Sequence, residues 1–426
     1  MKRAAPMGVF TTLATALLIA AAPANAQDNS ESGAIARLEA QIKAQEERIQ
    51  ELERLIGAQV ALSQPVAVHP PTIAGPTRPA QSAQLTQPAS TASPVFWSGD
   101  FRVRVEGNFY ENASPDRVRE VVRGRLRARY AVSNWLTVGA QLSTGDPGDP
   151  NTADVTLSNF VDDLQVSLDQ AYLAINHGGL ELQAGKFPLP FTSTEMAWDG
   201  DVSPQGVSAA YTLPLNGPSV KLVGIYSVVN EVAAGDDSRM LGGQLRFDTG
   251  KIGAWKGDVS LAYFDYDLVS IAGADAGDFR GNRLTPAGRY LSDFDLSDVI
   301  VGVSWSGLGE AWPVRMVADY VRNSASSSND DGHWVDLKIG AATADHPWRF
   351  GYGFAEVETD AVLAAFSHDN LDLSTNYRQH AFTADYTLSK TLSLNATYYH
   401  YQALDVLPGV ARGWSDRIRL NLLASF

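Results

Sequence analysis

Between Val122 and Val132 an extended chain carries Val122, Gly124, Leu126, Ala128, Tyr130 and Val132 on one face, and Arg123, Arg125, Arg127 and Arg129 on the other. Side chains alternate with a period of two in a strand, so the two sets are held apart. Four guanidiniums in a row cannot enter a dry core, because an unpaired buried charge costs far more than the strand returns by packing. The other face is apolar apart from the Tyr130 hydroxyl. Such a strand divides water from an apolar phase, and any fold that contains it must do the same.

A β-sandwich also alternates, so the connections decide. Sixteen alternating segments follow one another, beginning near Phe101, Val122, Leu136, Leu168, Leu180, Val207, Val220, Arg239, Val259, Asp298, Val314, Trp334, Trp348, Gln379, Leu392 and Arg417. Links after the even-numbered segments are mostly short, such as Ser133-Asn134, Asn216-Gly217-Pro218 and Ser389-Lys390. Those after the odd-numbered ones are generally long and polar: Gly145 to Asp163, Pro188 to Gly206, Leu268 to Ser292, Glu358 to Thr375. Tight turns at one rim and long loops at the other are the pattern of an even-stranded transmembrane barrel. Hydrocarbon offers no hydrogen bonds, and only a closed sheet leaves no backbone edge unpaired. Aromatic residues near segment ends, Trp97, Phe109, Tyr130, Trp135, Trp305, Trp312, Trp348 and Tyr398, fit interfacial girdles. The expected fold is all-β, a sixteen-stranded antiparallel barrel over residues 95–426.

Composition narrows the function. Of 426 residues 45% are hydrophobic, and the formal net charge is −15. That excludes a bundle of membrane helices and gives no basic surface for nucleic acid. With no cysteine, disulfides and thiolate metal sites are excluded too. The seven histidines have no metal-ligand spacing, and no nucleophile elbow, phosphate-binding glycine loop or H-E-x-x-H is present, so no catalytic residue, metal or cofactor is expected.

Three further segments are expected before the barrel. Residues 1–26 read as a secretory signal peptide, with Lys2 and Arg3, an apolar run from Val9 to Ala22, and Ala24-Asn25-Ala26 as cleavage site. Over 27–62, Ile35, Ile42, Ile49 and Ile56 recur every seven residues, with Leu38, Gln45, Leu52 and Gln59 as the second set. This is the spacing of a short coiled coil, whose isoleucine seam calls for self-association, although Gln45 and Gln59 leave dimer and trimer both open. Residues 63–94 hold seven prolines among small and polar residues and form an extended linker. At the other end Ile418, Leu420, Leu422, Ala424 and Phe426 share one face, and a last strand closing on Phe426 resembles the signal that outer-membrane barrels present to their assembly machinery.

The stretches Val122-Val-Arg-Gly-Arg-Leu-Arg-Ala-Arg-Tyr130, Ala184-Gly-Lys-Phe-Pro-Leu-Pro-Phe191 and Trp198-Asp-Gly-Asp-Val-Ser-Pro-Gln-Gly206 resemble bacterial outer-membrane porins of the "putative porin" type, which carry a coiled coil before the barrel. The resemblance spans Phe96 to Phe426. It implies a trimeric, water-filled channel for small hydrophilic solutes in the Gram-negative outer membrane, bounded by lipid and lipopolysaccharide, with the coiled coil in the periplasm. Two alternatives are a phosphate- or organic-anion-selective channel, and an envelope tether or adhesin whose coiled coil contacts peptidoglycan.

Electrostatics carries the functional expectation. In a closed barrel the last strand lies beside the first and the first beside the second, which gathers Arg102, Arg104, Arg123, Arg125, Arg127, Arg129, Arg417 and Arg419 on one inward wall. Glu106 is the one inward acid expected among them. The low-dielectric wall would focus their field on passing ions. General porins fold their third long loop inward, and here that loop, Pro188 to Gly206, contains Glu195, Asp199 and Asp201, with Lys186 at its mouth. Folded in, its acids would face the arginines. The other loop acids, among them Asp154, Asp369 and Asp372, are expected outside, so that acid rims the barrel and arginine lines it.

Overall fold

The computed structural model describes residues 94–426 except 112–113, 162, 269–280, 287 and 407–412, and before them Lys43, which is helical. Apart from Lys43 and Pro94, the expected signal peptide, coiled coil and linker lie outside the described residues.

The chain forms β1 (Val95–Tyr110), β2 (Arg117–Ala131), β3 (Leu136–Thr144), β4 (Val155–Thr156), β5 (Val166–His177), β6 (Leu180–Lys186), β7 (Gln205–Pro214), β8 (Ser219–Asn230) and β9 (Ser238–Ile252). It continues through β10 (Trp255–Asp267), β11 (Phe294–Trp305), β12 (Val314–Asn323), β13 (Asp331–Gly340), β14 (Trp348–Val357), β15 (Tyr377–Thr387), β16 (Leu392–Ala403) and β17 (Trp414–Ser425). β4 is a two-residue rung inside a loop, paired to Val121 and Val122 of β2. The wall therefore has the sixteen strands that the alternation implied, each beginning within six residues of its expected start.

Every pairing is antiparallel between neighbours, and β17 pairs with β1 from Asp100 opposite Ser425 to Tyr110 opposite Ser415, which closes the barrel. At the seam the Gly99 and Phe426 backbones exchange hydrogen bonds of 2.9 and 3.0 Å. A Cβ at Gly99 would stand 2.6 Å from the Phe426 ring, so this position has to be glycine for the last residue to lie flat on the first strand. The turn between β7 and β8 runs through Asn216 and Gly217 with φ of 55° and 126°, left-handed backbone that suits a two-residue hairpin.

The outer face is apolar: Val103, Val105, Leu126, Leu142, Leu222, Leu245, Leu261, Val301, Phe350, Leu394, Ile418 and Leu420 are exposed along it. Of the aromatic residues expected at the girdles, all but Tyr398 stand at or near strand ends, whereas Tyr398 lies in the middle of β16; Trp305 stacks on Trp255 at 5.7 Å between ring centroids. The packed core is not between sheets but inside the barrel. Inward residues of β7 to β16, including Ile225, Phe264, Leu296, Val321, Trp334 and Tyr377, meet residues of two loops, 187–204 and 358–376. The second loop corrects an expectation, because Glu358 to Thr375 is not a polar outer loop. Its run Ala361-Val362-Leu363-Ala364-Ala365 is buried, with a single 3-10 turn over Ala364–Phe366, and solvating it outside would expose an entirely apolar segment.

Candidate functional site

On β17 Ile418 and Leu420 are exposed whereas Arg417 and Arg419 are buried, and β1 alternates likewise, with Val103 and Val105 outside and Arg104 and Glu106 inside. The strand period thus turns Arg102, Arg104, Arg123, Arg125, Arg127, Arg129, Arg417 and Arg419 away from the apolar face. Arg102 lies directly opposite Arg123, and Glu106 directly opposite both Arg119 and Arg419.

The arginines are not left to a single acid, which corrects the expected pairing. Asp100 shares the face of Arg102 and Arg104 by the same alternation. It accepts from Arg125 at 2.9 Å, pairs with Arg123 at 3.1 Å, and is met by Arg127 at 3.4 Å. Glu106, fully buried, accepts from Arg119 at 2.8 Å and Arg419 at 2.6 Å, with Arg104 and Arg417 at 3.6 and 3.8 Å.

Three loops then add one carboxylate each. Asp154 pairs with Arg102 and Arg104, Asp201 with Arg123 and Arg125, and Asp372 with Arg417. Asp154 and Asp372 were expected on the outer rim; the arginines draw them in, because a guanidinium inside the barrel has few other partners there. The simple segregation of acid outside and arginine inside therefore does not hold. Eight of the nine arginines, Arg119 included and Arg129 apart, pair with these five carboxylates, and Asp369 stands beside Arg419 as well, so guanidiniums outnumber the acids around them.

Loop 187–204 crosses the interior. Asp201 reaches the arginines of β2, while on the other side the Thr192 backbone N–H donates to Gln244 of β9 at 2.9 Å and the Thr194 hydroxyl bonds Asp319 of β12. Between those ends Phe187, Met196 and Trp198 are fully or almost fully buried. Trp198 stacks on Phe366 of the second loop at 5.5 Å with ring planes 8° apart, and Phe191 meets Phe264 edge-on at 4.9 Å. Full burial of such side chains contributes about 1.5–3 kcal/mol each.

The loop's acids are divided. Asp201 alone faces the arginines. Glu195 accepts from the Asn370 side chain at 2.6 Å, and Asp199 accepts from the Asp201 backbone N–H at 2.7 Å. Asn370 also accepts from Arg417 at its carbonyl and from Arg419 at its side chain, at 2.8 and 2.7 Å, so it ties both loops to the wall. Lys186 does not join the arginines; it lines a small cleft at the loop's base with Trp198, Gln205, Ser227 and Phe366.

Charge states follow the same division. Burial pushes the Asp201 carboxyl up, but Arg125, Arg123 and Arg102 outweigh it and hold the group at about 2. Burial likewise opposes ionisation of Asp154, and Arg104 and Arg102 keep it below the usual carboxylate range. Asp199, with no cation against it, is pushed well above that range by burial and by the fields of Asp201, Asp369 and Glu195. Burial, then Arg419 and Arg417, push His368 down to about 3.

A second charged group was missed. Arg246 and Arg315 share Asp258 at 3.1 and 2.7 Å, and Lys221 pairs with Glu181 and Arg349 with Asp385 at 3.1 and 2.8 Å. The signal was available: each of these residues holds the inward parity of its own strand, but one or two charges per strand, often of opposite sign, mark it less clearly than the four arginines of β2.

A closed sixteen-stranded antiparallel barrel, apolar outside and charged within, with loops folded into its interior, has the architecture of outer-membrane barrels. Residues 98–280 match the family model described as "Putative porin". Among solved structures it is similar to OprB of Pseudomonas putida in its high-pH form, at 12% identity and a TM-score of 0.55 over 78% of this chain and 94% of that one. Weaker likenesses are to the outer-membrane channel DcaP of Acinetobacter baumannii, at 15% identity and 0.44 over 80% and 100%, and to OmpT of Vibrio cholerae with its loop L8 deleted, at 11% and 0.46 over 78% and 99%. Among curated proteins the chain has no match.

Proposed function

We propose that the barrel is a passive diffusion pore for small hydrophilic solutes and ions, in which loop 187–204 forms the constriction and the arginine group biases passage toward anions. The observation that carries this reading is the exposure of inward charged side chains on the barrel wall: 36% for Arg315 and 29% for Arg349, and, although loop 187–204 comes within reach of them, 30% for Arg246 and 49% for Lys338. A packed interior would cover them; a water-filled one leaves them wet. The bias toward anions rests on the excess of guanidiniums over carboxylates in that group, which a low-dielectric wall focuses into the lumen.

Further parts of the proposal rest on sequence: export by residues 1–26, self-association through the periplasmic coiled coil to a trimer, cell-wall contact by that segment, and recognition of Phe426 by the assembly machinery. The test is recording from the purified protein in planar bilayers. Stepwise conductance with a reversal potential on the anion side in a salt gradient is expected. Absence of any step rejects the pore and leaves the tether reading; steps with cation preference reject the arginine group as the selective element.

A further inference from the structure

Two glycines face each other where β6 and β7 meet loop 187–204. Gly185 and Gly206 are paired across the strands, with φ of 116° and 143°, and a Cβ on them would stand 2.3 and 2.2 Å from a neighbouring carbonyl oxygen. Only glycine fits at both positions, and the kink it allows breaks the alternation of β6. Glu181 and Gln183 hold the inward parity, accepting from Lys221 and Ser208, so strict alternation would turn Lys186 out toward lipid with Leu180 and Ala184. Instead Lys186 stands in a cleft of about 130 Å³ behind loop 187–204, with Trp198, Val229, Met240 and Phe366.

Two donors of this lining lack an acceptor. Among the described residues Lys186 has no ion pair; the field of Asp169 reaches it, but Asp169 accepts from Gln141 and Ser203 instead. The buried Trp198 indole N–H has no hydrogen-bond partner among the described residues either. A cation and an N–H set among apolar walls call for an acceptor carried on an apolar body.

We propose that the cleft binds small monocarboxylates with an apolar body the size of one ring, and that an occupant holds loops 187–204 and 358–376 docked. Trp198 belongs to the first loop, Phe366 to the second, and Val229 and Met240 to the wall, so one ligand touches all three. A cavity of this order accommodates a benzene-sized ring. The carboxylate meets Lys186, and the ring lies on Val229, Met240 and Phe366. A second carboxylate would lie on those walls without a cation, and the hydroxyls of a sugar would lie there without partners, so both classes are disfavoured. No member of the arginine group lines the cleft.

The test uses the full chain, folded in detergent micelles and titrated calorimetrically with benzoate, benzyl alcohol and acetate. Benzoate should bind about tenfold more tightly than benzyl alcohol, which lacks the charge, or acetate, which lacks the ring. K186Q should bring benzoate down to the level of benzyl alcohol, whose own affinity stays as in the wild type. V229W, which fills the cleft, should abolish binding of both, and R125Q should bind benzoate as the wild type does. By hydrogen exchange, benzoate should slow the backbone amides of 187–204 and 358–376 in the wild type but not in K186Q.

Equal affinities for benzoate and benzyl alcohol, wild-type benzoate affinity in K186Q, or an equal loss in R125Q, which would move the ligand to the arginine group, overturns the site. Unchanged exchange with benzoate bound overturns the docking. If V229W does not fold, K186Q decides, since a lysine without an ion pair supports no other part of the barrel. Neither readout needs conduction, so failure of this site and failure of the pore reading are told apart.

Discussion

The two sides of the barrel interior hold the same loop by opposite physics. Toward β17, β1 and β2, loop 187–204 is fixed by ions, Asp201 on Arg123 and Arg125. Toward β8 through β15 it is held mainly by packing, with Met196 and Trp198 buried in the apolar cluster that includes Phe264, Tyr266 and Phe366, and by the uncharged contacts of Thr192 and Thr194. Ion pairs of this kind are expensive to break singly, because the partner stays behind as an uncompensated charge. Apolar contacts fail in proportion to the volume removed. The two sides should therefore respond differently to substitution and to pH.

The largest effect is expected at Glu106, fully buried with four guanidiniums within 4 Å. Glu106→Gln leaves those charges facing one another and should cost about 3–5 kcal/mol. The temperature at which the folded barrel converts to the unfolded form on a heat-modifiability gel should fall clearly below that of the wild type. An unchanged temperature would mean that Asp100, Asp154 and Asp372 suffice, and that the ionic side is not centred on this residue.

On the packed side, Trp198→Ala removes the ring that links the two loops and should cost about 3–5 kcal/mol of local stability. The strands do not depend on it, so the barrel should keep its thermal transition while single-channel conductance rises and becomes noisier. A conductance equal to the wild type's would show that packing does not fix the loop. Next in size, R125Q/R127Q removes two of the group's positive charges and should move the reversal potential toward zero, with little change in conductance. If the potential stays, the selectivity lies with the group around Arg246 and Arg315.

How much of this was legible in sequence differs between the same two sides. Alternation of period two gave the strands, their inward faces and the arginines, since parity is a local property of the chain. Asp100 was equally legible, two residues before Arg102, and the emphasis on arginines passed over it. What sequence could not give was which long loops turn inward. Asp154 and Asp372 look like any acid in a polar loop until the fold brings arginines within reach, and parity says nothing about residues outside strands. The run from Ala361 to Ala365 was the missed clue, because an apolar segment in a long loop needs a surface to bury it.

The smallest effect separates the loops by pH. Asp201 has its folded value near 2, against 3.8 for the free group. Its contribution is therefore complete above about pH 4 and is lost only as pH falls toward 2, where roughly 2 kcal/mol disappears. His368 has the opposite linkage. It is fully buried in loop 358–376 with its folded value near 3, against 6.5 when free, so the released loop binds a proton that the docked loop refuses. Docking of that loop should weaken as soon as pH drops below 6.5, by roughly 2–3 kcal/mol at pH 4.5. Between pH 7 and 4.5, then, loop 358–376 should loosen while Asp201 stays ionised on its arginines. Conductance in that interval should drift or flicker increasingly with acid, and His368→Gln, which cannot take the proton, should flatten the dependence while leaving the conductance at pH 7 close to the wild type's. A flat wild-type profile down to pH 4.5 would mean that loop 358–376 is held by more than this protonation can release, and that its packing, like that of Trp198, outweighs the charge beside it.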